Sequence, residues 1–138
     1  MQSAARAWLG CRPIGDDAAV LQANRAFYDA FEARDMDAMS DVWHHLGEVS
    51  CTHPGWQRLE GWGQVAASFL ALFQGPQPIQ FILTNESVQV HDHVAWVSVD
   101  ENILGDDAGA TASGLNIFRR TPDGWKMVVH HSSQVLVG

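Results

Sequence analysis

A short run of alternating apolar and polar residues, VSCTH, ends on a histidine whose side chain is suited to proton transfer. Cys51 and His53 share one face of this predicted strand, and Pro54 follows. An imidazole titrates near neutral pH, so His53 suits general acid or base work. The structural alternative is a strand-end histidine bonded to a loop carbonyl. We predict that Cys51 is a reduced thiol directed at the same pocket, unpaired with Cys11.

A single carboxylate interrupts an apolar face in a later predicted strand, where Val97, Val99 and Glu101 alternate to one side. Burying a carboxylate without partners costs several kcal/mol, so a carboxylate kept there is paired, exposed at the strand end or used. An acid in an apolar pocket has a raised pKa and exchanges protons near neutrality. We therefore predict that Glu101 faces inward. In the alternative, the opposite face, which carries Trp96, is the inner one.

The last two predicted strands supply an amide and another imidazole. Asn116 shares a face with small residues and Phe118, which leaves room for a ligand. Its amide could donate to an oxyanion, or it could be a hydrogen-bonded core residue. In the final strand His131 alternates with an apolar set that includes Val129, and that set is expected to point inward. We therefore predict that His131 faces the pocket and that His130 faces outward.

Seven histidines raise the question of a metal site. The close pairs are His44-His45, His91-x-His93 and His130-His131. These pairs do not converge, because adjacent residues diverge on a strand and the second pair lies on a predicted hairpin tip. A site made of His53, Glu101 and His131 is conceivable inside a closed sheet, but we expect no metal. No phosphate-binding loop, dinucleotide fingerprint or Gly-x-Ser-x-Gly elbow occurs, so we expect no cofactor.

The elements that must position these side chains follow from the hydrophobic period. A first helix begins at Asp16 or Asp17, either of which could cap it, a second follows Asp35 and ends at Gly47, and a third starts near Gly61. Four longer strands come last, at about 79–91, 93–104, 110–121 and 124–136. Helices followed by an antiparallel meander predict an α+β domain in which a curved sheet wraps around three helices.

Composition narrows the class of protein. The 138 residues are 46% apolar and 17% charged, which is typical of one folded domain. The net charge of −8, with a single lysine, disfavours nucleic acid and anionic membranes as partners. No apolar run approaches a membrane span and residues 1–15 lack a secretory signal, so a cytoplasmic location is expected. We assign residues 1–15 to a flexible or partly helical extension and residues 16–138 to one domain.

Three segments of the chain resemble the nuclear transport factor 2-like superfamily, the cystatin-like α+β cone that includes ketosteroid isomerase and SnoaL-like polyketide cyclases. They are AFYDAFEARDMDAMSDVW in the first two helices, HPGW after the first strand, and NIFRRTPDGWKMVVHHSS over the last hairpin. The resemblance covers about residues 16–136. It implies a pocket at the open end of the cone, between sheet and helices, and a homodimer through the outer face of the sheet.

The resemblance also disfavours one activity. Ketosteroid isomerase uses a carboxylate base with an oxyanion hole made of a tyrosine and a protonated aspartic acid. The matching positions here are Phe27 for the tyrosine, Cys51 for the base and Asn116 for the aspartic acid. All three residue types differ, so steroid isomerisation by that mechanism is not expected.

The expected function is cofactor-free isomerase, cyclase or lyase chemistry by proton transfer on a small apolar or aromatic carbonyl compound. In this hypothesis His53 or Glu101 is the base, and Asn116 and His131 orient the carbonyl. The expected pocket wall consists of Phe27, Tyr28, Cys51, Trp56, Trp62, Val97, Val99, Phe118 and Val129. The alternative is a non-catalytic ligand-binding or oligomerisation module, because the last strand also resembles the association domain of calcium/calmodulin-dependent kinases.

Overall fold

A computed structural model describes residues 15–76, 78–105 and 109–136. The helices are α1 (Asp16–Ala33), α2 (Met36–Val42) and α3 (Trp62–Phe73). The strands are β1 (Ser50–Thr52), β2 (Leu59–Glu60), β3 (Gln80–His91), β4 (Val94–Leu104), β5 (Ala110–Thr121) and β6 (Gly124–Gln134). They form one curved sheet in the order β2-β1-β6-β5-β4-β3, with β1 parallel to β6 and the other pairs antiparallel. The predicted α+β cone is confirmed.

The helices begin and end for local reasons. Gly15 is the residue before α1 and no side chain caps this helix, so the prediction of an aspartate cap is wrong. Asp16 and Asp17 lie in the first turn instead, where negative charge interacts favourably with the helix dipole. The side chain of Asp35 caps α2 by accepting from the backbone N–H of Ala38 at 3.1 Å. That helix ends well before Gly47, because the backbone is already extended at the residue after Val42.

The hydrophobic core lies between the inner face of the sheet and the helices. Its largest fully buried apolar side chains come from all layers: Trp43, Phe27, Phe69, Phe118, Met39 and Met127. The three helices of the described residues cover only this inner face. The outer face leaves Ile82 53% exposed and Leu115 37% exposed, so the sheet keeps an uncovered apolar surface.

An irregularity in β6 changes which residues face inward. Ile117 pairs with Val129, whereas the next residue, Phe118, pairs with Met127, so Val128 is an extra residue in this strand. Beyond the bulge the alternation is shifted by one residue. His130 is 3% exposed and faces inward, while its neighbour is on the outer side.

Two predictions are therefore wrong. His131 is exposed and points away from the core, and Val129 lies on the same outer side, because the bulge reverses the pattern of the preceding residues. His130, expected outside, is one of the buried polar residues.

Two further features bear on the predictions. None of the helices in the described ranges is long and apolar enough to cross a membrane. Cys51 is a buried free thiol, as predicted, and Cys11 lies outside the described residues together with the rest of the segment 1–14.

Candidate functional site

A cavity of about 200 Å³ lies inside the cone, between the helices and the inner face of the sheet. We call it the inner cavity. Its lining residues are Phe27, Tyr28, Phe31, His53, Pro54, Trp56, Leu72, Ile79, Phe81, Glu101, Ile103 and His130. The wall is thus mostly aromatic and aliphatic, with a few polar groups that can orient a ligand.

Glu101 is the carboxyl group of the inner cavity, and it is 2% exposed. The hydroxyl of Tyr28 donates to its Oε2 and the hydroxyl of Ser132 donates to its Oε1, both at 2.5 Å. Burial raises the pKa of Glu101, and the two hydroxyl donors oppose that rise by stabilising the ionised form. The group can therefore exchange a proton closer to neutrality than an ordinary glutamate does.

A glycine makes room for this carboxyl. A Cβ on Gly114 of β5 would stand 2.9 Å from Glu101 Oε2, closer than such atoms approach, and 3.1 Å from Cδ, which is an unusually tight contact. The small residue at this position therefore leaves space for the glutamate, whereas the sequence argument assigned the space to a ligand.

Asn116 does not line the inner cavity but connects two residues that do. Its Nδ2 donates to the Tyr28 hydroxyl at 3.0 Å and to Asn24 Oδ1 at 2.8 Å. Its Oδ1 lies 2.6 Å from His130 Nδ1. Because a carbonyl oxygen only accepts, Nδ1 of His130 carries the hydrogen. Asn116 is therefore a hydrogen-bonded core residue, which was the alternative to an oxyanion donor.

His53 is held by a serine of α3. Ser68 donates its hydroxyl hydrogen to the carbonyl of Val65 at 2.7 Å and lies 2.9 Å from His53 Nε2. Since that hydrogen is used, the serine oxygen accepts from His53, which then carries its proton on Nε2. Burial, followed by the nearby His130, lowers the pKa of His53 to about 4, so the ring is neutral at pH 7.

The thiol of Cys51 packs against the same imidazole, 3.7 Å from His53 Nε2. Burial, followed by the charge of Glu101, raises the pKa of Cys51 to about 12. A protonated thiol is a poor nucleophile, so this cysteine contributes packing rather than covalent chemistry.

The structure brings five of the predicted residues to the wall of the inner cavity: Phe27, Tyr28, His53, Trp56 and Glu101. It places others elsewhere. Cys51, Val97, Val99 and Phe118 are buried in the core and do not line the cavity. Trp62 stacks on His45, with ring centroids 4.5 Å apart, away from the cavity. His131 and Val129 face outward.

Sequence reasoning missed three polar residues of the site, His130, Ser132 and Ser68. His130 and Ser132 were missed because the bulge at Val128 reverses the inward face of β6, and no glycine or proline at that point signals a bulge. It also missed Asn24, although the sequence contained a signal. Asn24 and Tyr28 are one helical turn apart beside the apolar stripe of α1, which is the spacing of two polar groups sharing one partner.

A larger depression of about 500 Å³ lies outside the cone beside β2. Its charged residues Arg58 and Glu60 pair with each other at 3.0 Å and are well exposed. Among the described residues, no three His, Cys, Asp or Glu side chains converge to hold a metal ion.

Comparisons with solved structures place this architecture among known proteins. A proposed dehydratase of the nuclear transport factor 2-like family from Streptomyces avermitilis is 40% identical, with a TM-score of 0.85 over 91% of this chain and 100% of that one. A proposed calcium/calmodulin-dependent protein kinase type II association domain from Thiobacillus denitrificans is 35% identical, with a TM-score of 0.69 over 83% of this chain and 93% of that one. A protein with a cystatin-like fold from Novosphingobium aromaticivorans, 19% identical with a TM-score of 0.69 over 89% of this chain and 84% of that one, shares the fold.

Comparison with curated sequences finds the F-box protein SKIP8 of Arabidopsis thaliana, 26% identical over 119 residues. The match covers 86% of this chain but only 51% of the plant protein, so the chain spans about half the length of that relative. The model of the SnoaL-like domain matches residues 20–137, nearly the whole described fold. The predicted resemblance is confirmed, and the chain belongs to the SnoaL-like domain family within the nuclear transport factor 2-like superfamily.

Proposed function

We propose that this SnoaL-like protein is a cofactor-free lyase or isomerase that moves a proton on a small apolar or aromatic carbonyl compound held in the inner cavity. The observation that carries the proposal is Glu101, a buried carboxyl that lines the cavity, has a raised pKa, and is held by two hydroxyl donors. The 40% identical relative from Streptomyces, described as a proposed dehydratase, supports the lyase class.

Glu101 alone can both remove the proton from the substrate and return it. Its carboxylate removes a proton from the carbon next to the carbonyl, and the electron pair of that C–H bond forms the enolate. In a dehydration the enolate expels a hydroxyl group from the adjacent carbon, and Glu101 returns the proton to that oxygen to form water. In an isomerisation it returns the proton to another carbon. The group ends in its starting protonation state in both cases.

The other polar groups of the cavity orient the substrate. Burial, followed by the neighbouring His131, lowers the pKa of His130 to about 3, so His130 and His53 are both neutral at pH 7. A neutral imidazole offers one donor or acceptor to a substrate hydroxyl or carbonyl without adding charge. The apolar wall excludes water and so strengthens these hydrogen bonds.

The proposal is tested by proton exchange on a model ketone. Wild-type protein in D₂O should accelerate exchange of the protons next to the carbonyl of 2-tetralone, followed by NMR. Glu101→Gln keeps the shape of the side chain but cannot take a proton, so exchange should fall to the uncatalysed rate. Asp100→Asn, which changes the adjacent carboxylate bonded to Asn85 at 2.7 Å, is the matched control and should keep the activity. Equal exchange by wild type and Glu101→Gln would refute the role of Glu101.

Self-association is the second candidate function, and the uncovered outer face of the sheet favours it. Ile82, Val94 and Leu115 are exposed there by 53%, 41% and 37%. The 35% identical relative described as an association domain supports assembly through this fold. We infer a homodimer of about 30 kDa from two chains of 15.2 kDa. No nucleic acid or membrane is proposed as a partner.

The dimer is tested by sedimentation. Leu115→Glu should shift the protein to a monomer, because it places a charge in the apolar outer face. Leu70→Glu, on α3 and 47% exposed, is the matched control and should sediment like wild type. A wild-type monomer at micromolar concentration would contradict the dimer and leave the catalytic proposal untouched.

A further inference from the structure

An exposed carboxylate at the edge of the sheet contacts the polar interior through a buried asparagine. Glu86 lies where the pairing of β3 with β4 shifts register, between Thr84 and Ser87. Its Oε2 accepts from Nδ2 of Asn24 at 3.2 Å. Asn24 is 0% exposed, whereas Glu86 does not line the inner cavity. The role of this contact is thus separate from any contact with a ligand.

The contact fixes the direction of a chain of hydrogen bonds. A carboxylate only accepts, so the amide of Asn24 must turn its NH₂ to Glu86 and its oxygen inward. That oxygen accepts from Asn116 Nδ2 at 2.8 Å. Asn116 in turn presents its own oxygen to His130 Nδ1 at 2.6 Å, which requires the hydrogen on Nδ1.

A second carboxylate orients Asn116 in the same sense. The hydroxyl hydrogen of Tyr28 is used in the bond to Glu101, so the Tyr28 oxygen accepts from Asn116 Nδ2 at 3.0 Å. Two acceptor-only groups, Glu101 through Tyr28 and Glu86 through Asn24, therefore agree on one orientation of the amide. Glu86 is the one that lies outside the cavity.

The chain ends on a nitrogen that faces the ligand site. His130 lines the inner cavity, and its Nε2 has no hydrogen-bond partner among the described residues. In the described ranges, Trp43 Nε1 is the one fully buried side-chain polar atom without a partner. Since Nε2 of His130 also lacks a partner, it must keep some accessible surface. The ring of Phe27 packs on the imidazole with centroids 4.6 Å apart and limits its rotation.

We propose that Glu86 is a positioning residue that, through Asn24 and Asn116, holds His130 in the Nδ1–H form and so presents its Nε2 lone pair to the inner cavity. A lone pair there accepts a hydrogen bond, which selects ligands that carry a hydroxyl or another donor at that point. The specificity for a donor-bearing ligand rests on the function proposed above, whereas the tautomer does not.

The tautomer is read directly from the ¹⁵N chemical shifts of the His130 ring at neutral pH. Wild type should show a protonated Nδ1 and an unprotonated Nε2. In Glu86→Lys an ammonium replaces the acceptor, so Asn24 turns its oxygen outward and its NH₂ towards Asn116, and only the bond to the Tyr28 oxygen still favours the original direction of Asn116. The ratio of the two tautomers should then move roughly five- to thirtyfold towards the Nε2–H form. Glu48→Lys makes the same charge change at another exposed glutamate and should leave the ratio unchanged.

A charge swap supplies the rescue. In the double variant Glu86→Lys with Asn24→Asp, the new aspartate pairs with the lysine and can only accept from Asn116, so the original direction and the Nδ1–H form should return. The proposal is overturned if wild-type His130 carries its hydrogen on Nε2, a result that does not depend on any variant. It is also overturned if the Glu86→Lys protein folds and its ratio of tautomers equals that of wild type. If wild type shows no proton exchange on ketones but the tautomers behave as described, the catalytic proposal fails and this one stands.

Discussion

The inner face of the sheet has two halves built on the same strands. Towards one end, β4, β5 and β6 turn Ala95, Phe118 and Met127 inward, and these residues belong to the apolar core. Towards the other end, the same strands turn Glu101, Asn116, His130 and Ser132 inward, all 3% exposed or less. We call these the apolar half and the polar half.

The difference between the halves separates stability from function. Apolar burial stabilises the fold in proportion to the area removed from water. The buried carboxyl and imidazole of the polar half, and the buried imidazole of His53 beside them, cost desolvation free energy that their hydrogen bonds only partly return. A protein that needed only a stable core would continue the apolar half across the sheet, so the polar half supports the role proposed for the cavity that Glu101 and His130 line.

The largest expected effect tests the assignment of stability to the apolar half. Phe118→Ala removes a fully buried ring and leaves a void, so it should lower the free energy of unfolding by about 3–5 kcal/mol. Glu101→Gln in the polar half should change it by only about 1 kcal/mol or less, because the amide carries no charge to desolvate and keeps one hydroxyl bond. Urea denaturation of both variants measures the contrast. A greater loss in Glu101→Gln would reverse the assignment.

The next effect is the pH dependence that the polar half imposes. Unfolded imidazoles titrate near pH 6.5, while burial lowers the pKa of His53 to about 4 and of His130 to about 3. The unfolded chain therefore binds more protons below pH 6.5, and the free energy of unfolding falls as the pH drops. Their contribution is complete above pH 6.5 and is lost towards pH 4 and pH 3, at up to about 1.4 kcal/mol per pH unit for each ring.

Glu101 acts in the opposite direction. Because burial raises its pKa in the folded protein, the contribution of Glu101 to stability is present at low pH and is lost as the pH rises through the folded pKa.

Two matched variants separate the effect of the buried histidine from that of Glu101. His130→Gln should flatten the fall in stability between about pH 6.5 and pH 5, whereas His131→Gln, at the exposed neighbouring position, should leave it nearly unchanged. Identical slopes for the two variants would contradict the inward placement of His130.

The sequence predicts these halves where alternation is regular and fails where pairing with another strand shifts it. Period-two alternation located all four long strands and turned Glu101 inward, because its apolar company on β4 is uninterrupted from Ala95 onward. The same rule failed at His131. One extra residue at Val128 shifts the alternation, and a bulge is set by pairing with β5 rather than by local sequence.

The two-residue strand β2 and the parallel pairing of β1 with β6 were also beyond local reasoning. The parallel pairing joins residues distant in sequence, such as Cys51 opposite His130, and β2 is a strand only because it pairs with β1. The contacts of Asn116 with α1 belong to the same class, since they join residues separated by 88 and 92 positions. Alternation along β5 predicted that Asn116 faces inward, but its hydrogen bonds to Asn24, Tyr28 and His130 are visible only in the tertiary structure.

A smaller effect on stability is expected from a substitution at Gly114, which contacts the carboxyl of the polar half. In Gly114→Ala the new methyl would stand 2.9 Å from Glu101 Oε2, so the carboxyl must move and its bonds to Tyr28 and Ser132 must lengthen. We expect a loss of about 1–3 kcal/mol in the free energy of unfolding, together with loss of ketone exchange. Gly63→Ala in α3 is the control, because nothing lies within 4 Å of its Cβ position and alanine favours a helix. A Gly114→Ala protein as stable and active as wild type would show that the carboxyl is not held in place.

The smallest effect concerns a single hydroxyl of the polar half. Ser132 is 1% exposed and donates to Glu101 Oε1 at 2.5 Å, whereas the adjacent Ser133 is exposed on the other side of β6. Ser132→Ala removes a donor that favours the ionised carboxyl, so the pKa of Glu101 should rise further, with a loss of about 1 kcal/mol in stability at neutral pH. Ser133→Ala should change neither quantity. A ¹³C NMR titration of the Glu101 carboxyl measures the pKa in both variants. If Ser132→Ala lowered that pKa, the hydroxyl would be stabilising the protonated acid instead, and Glu101 would start its reaction as a proton donor.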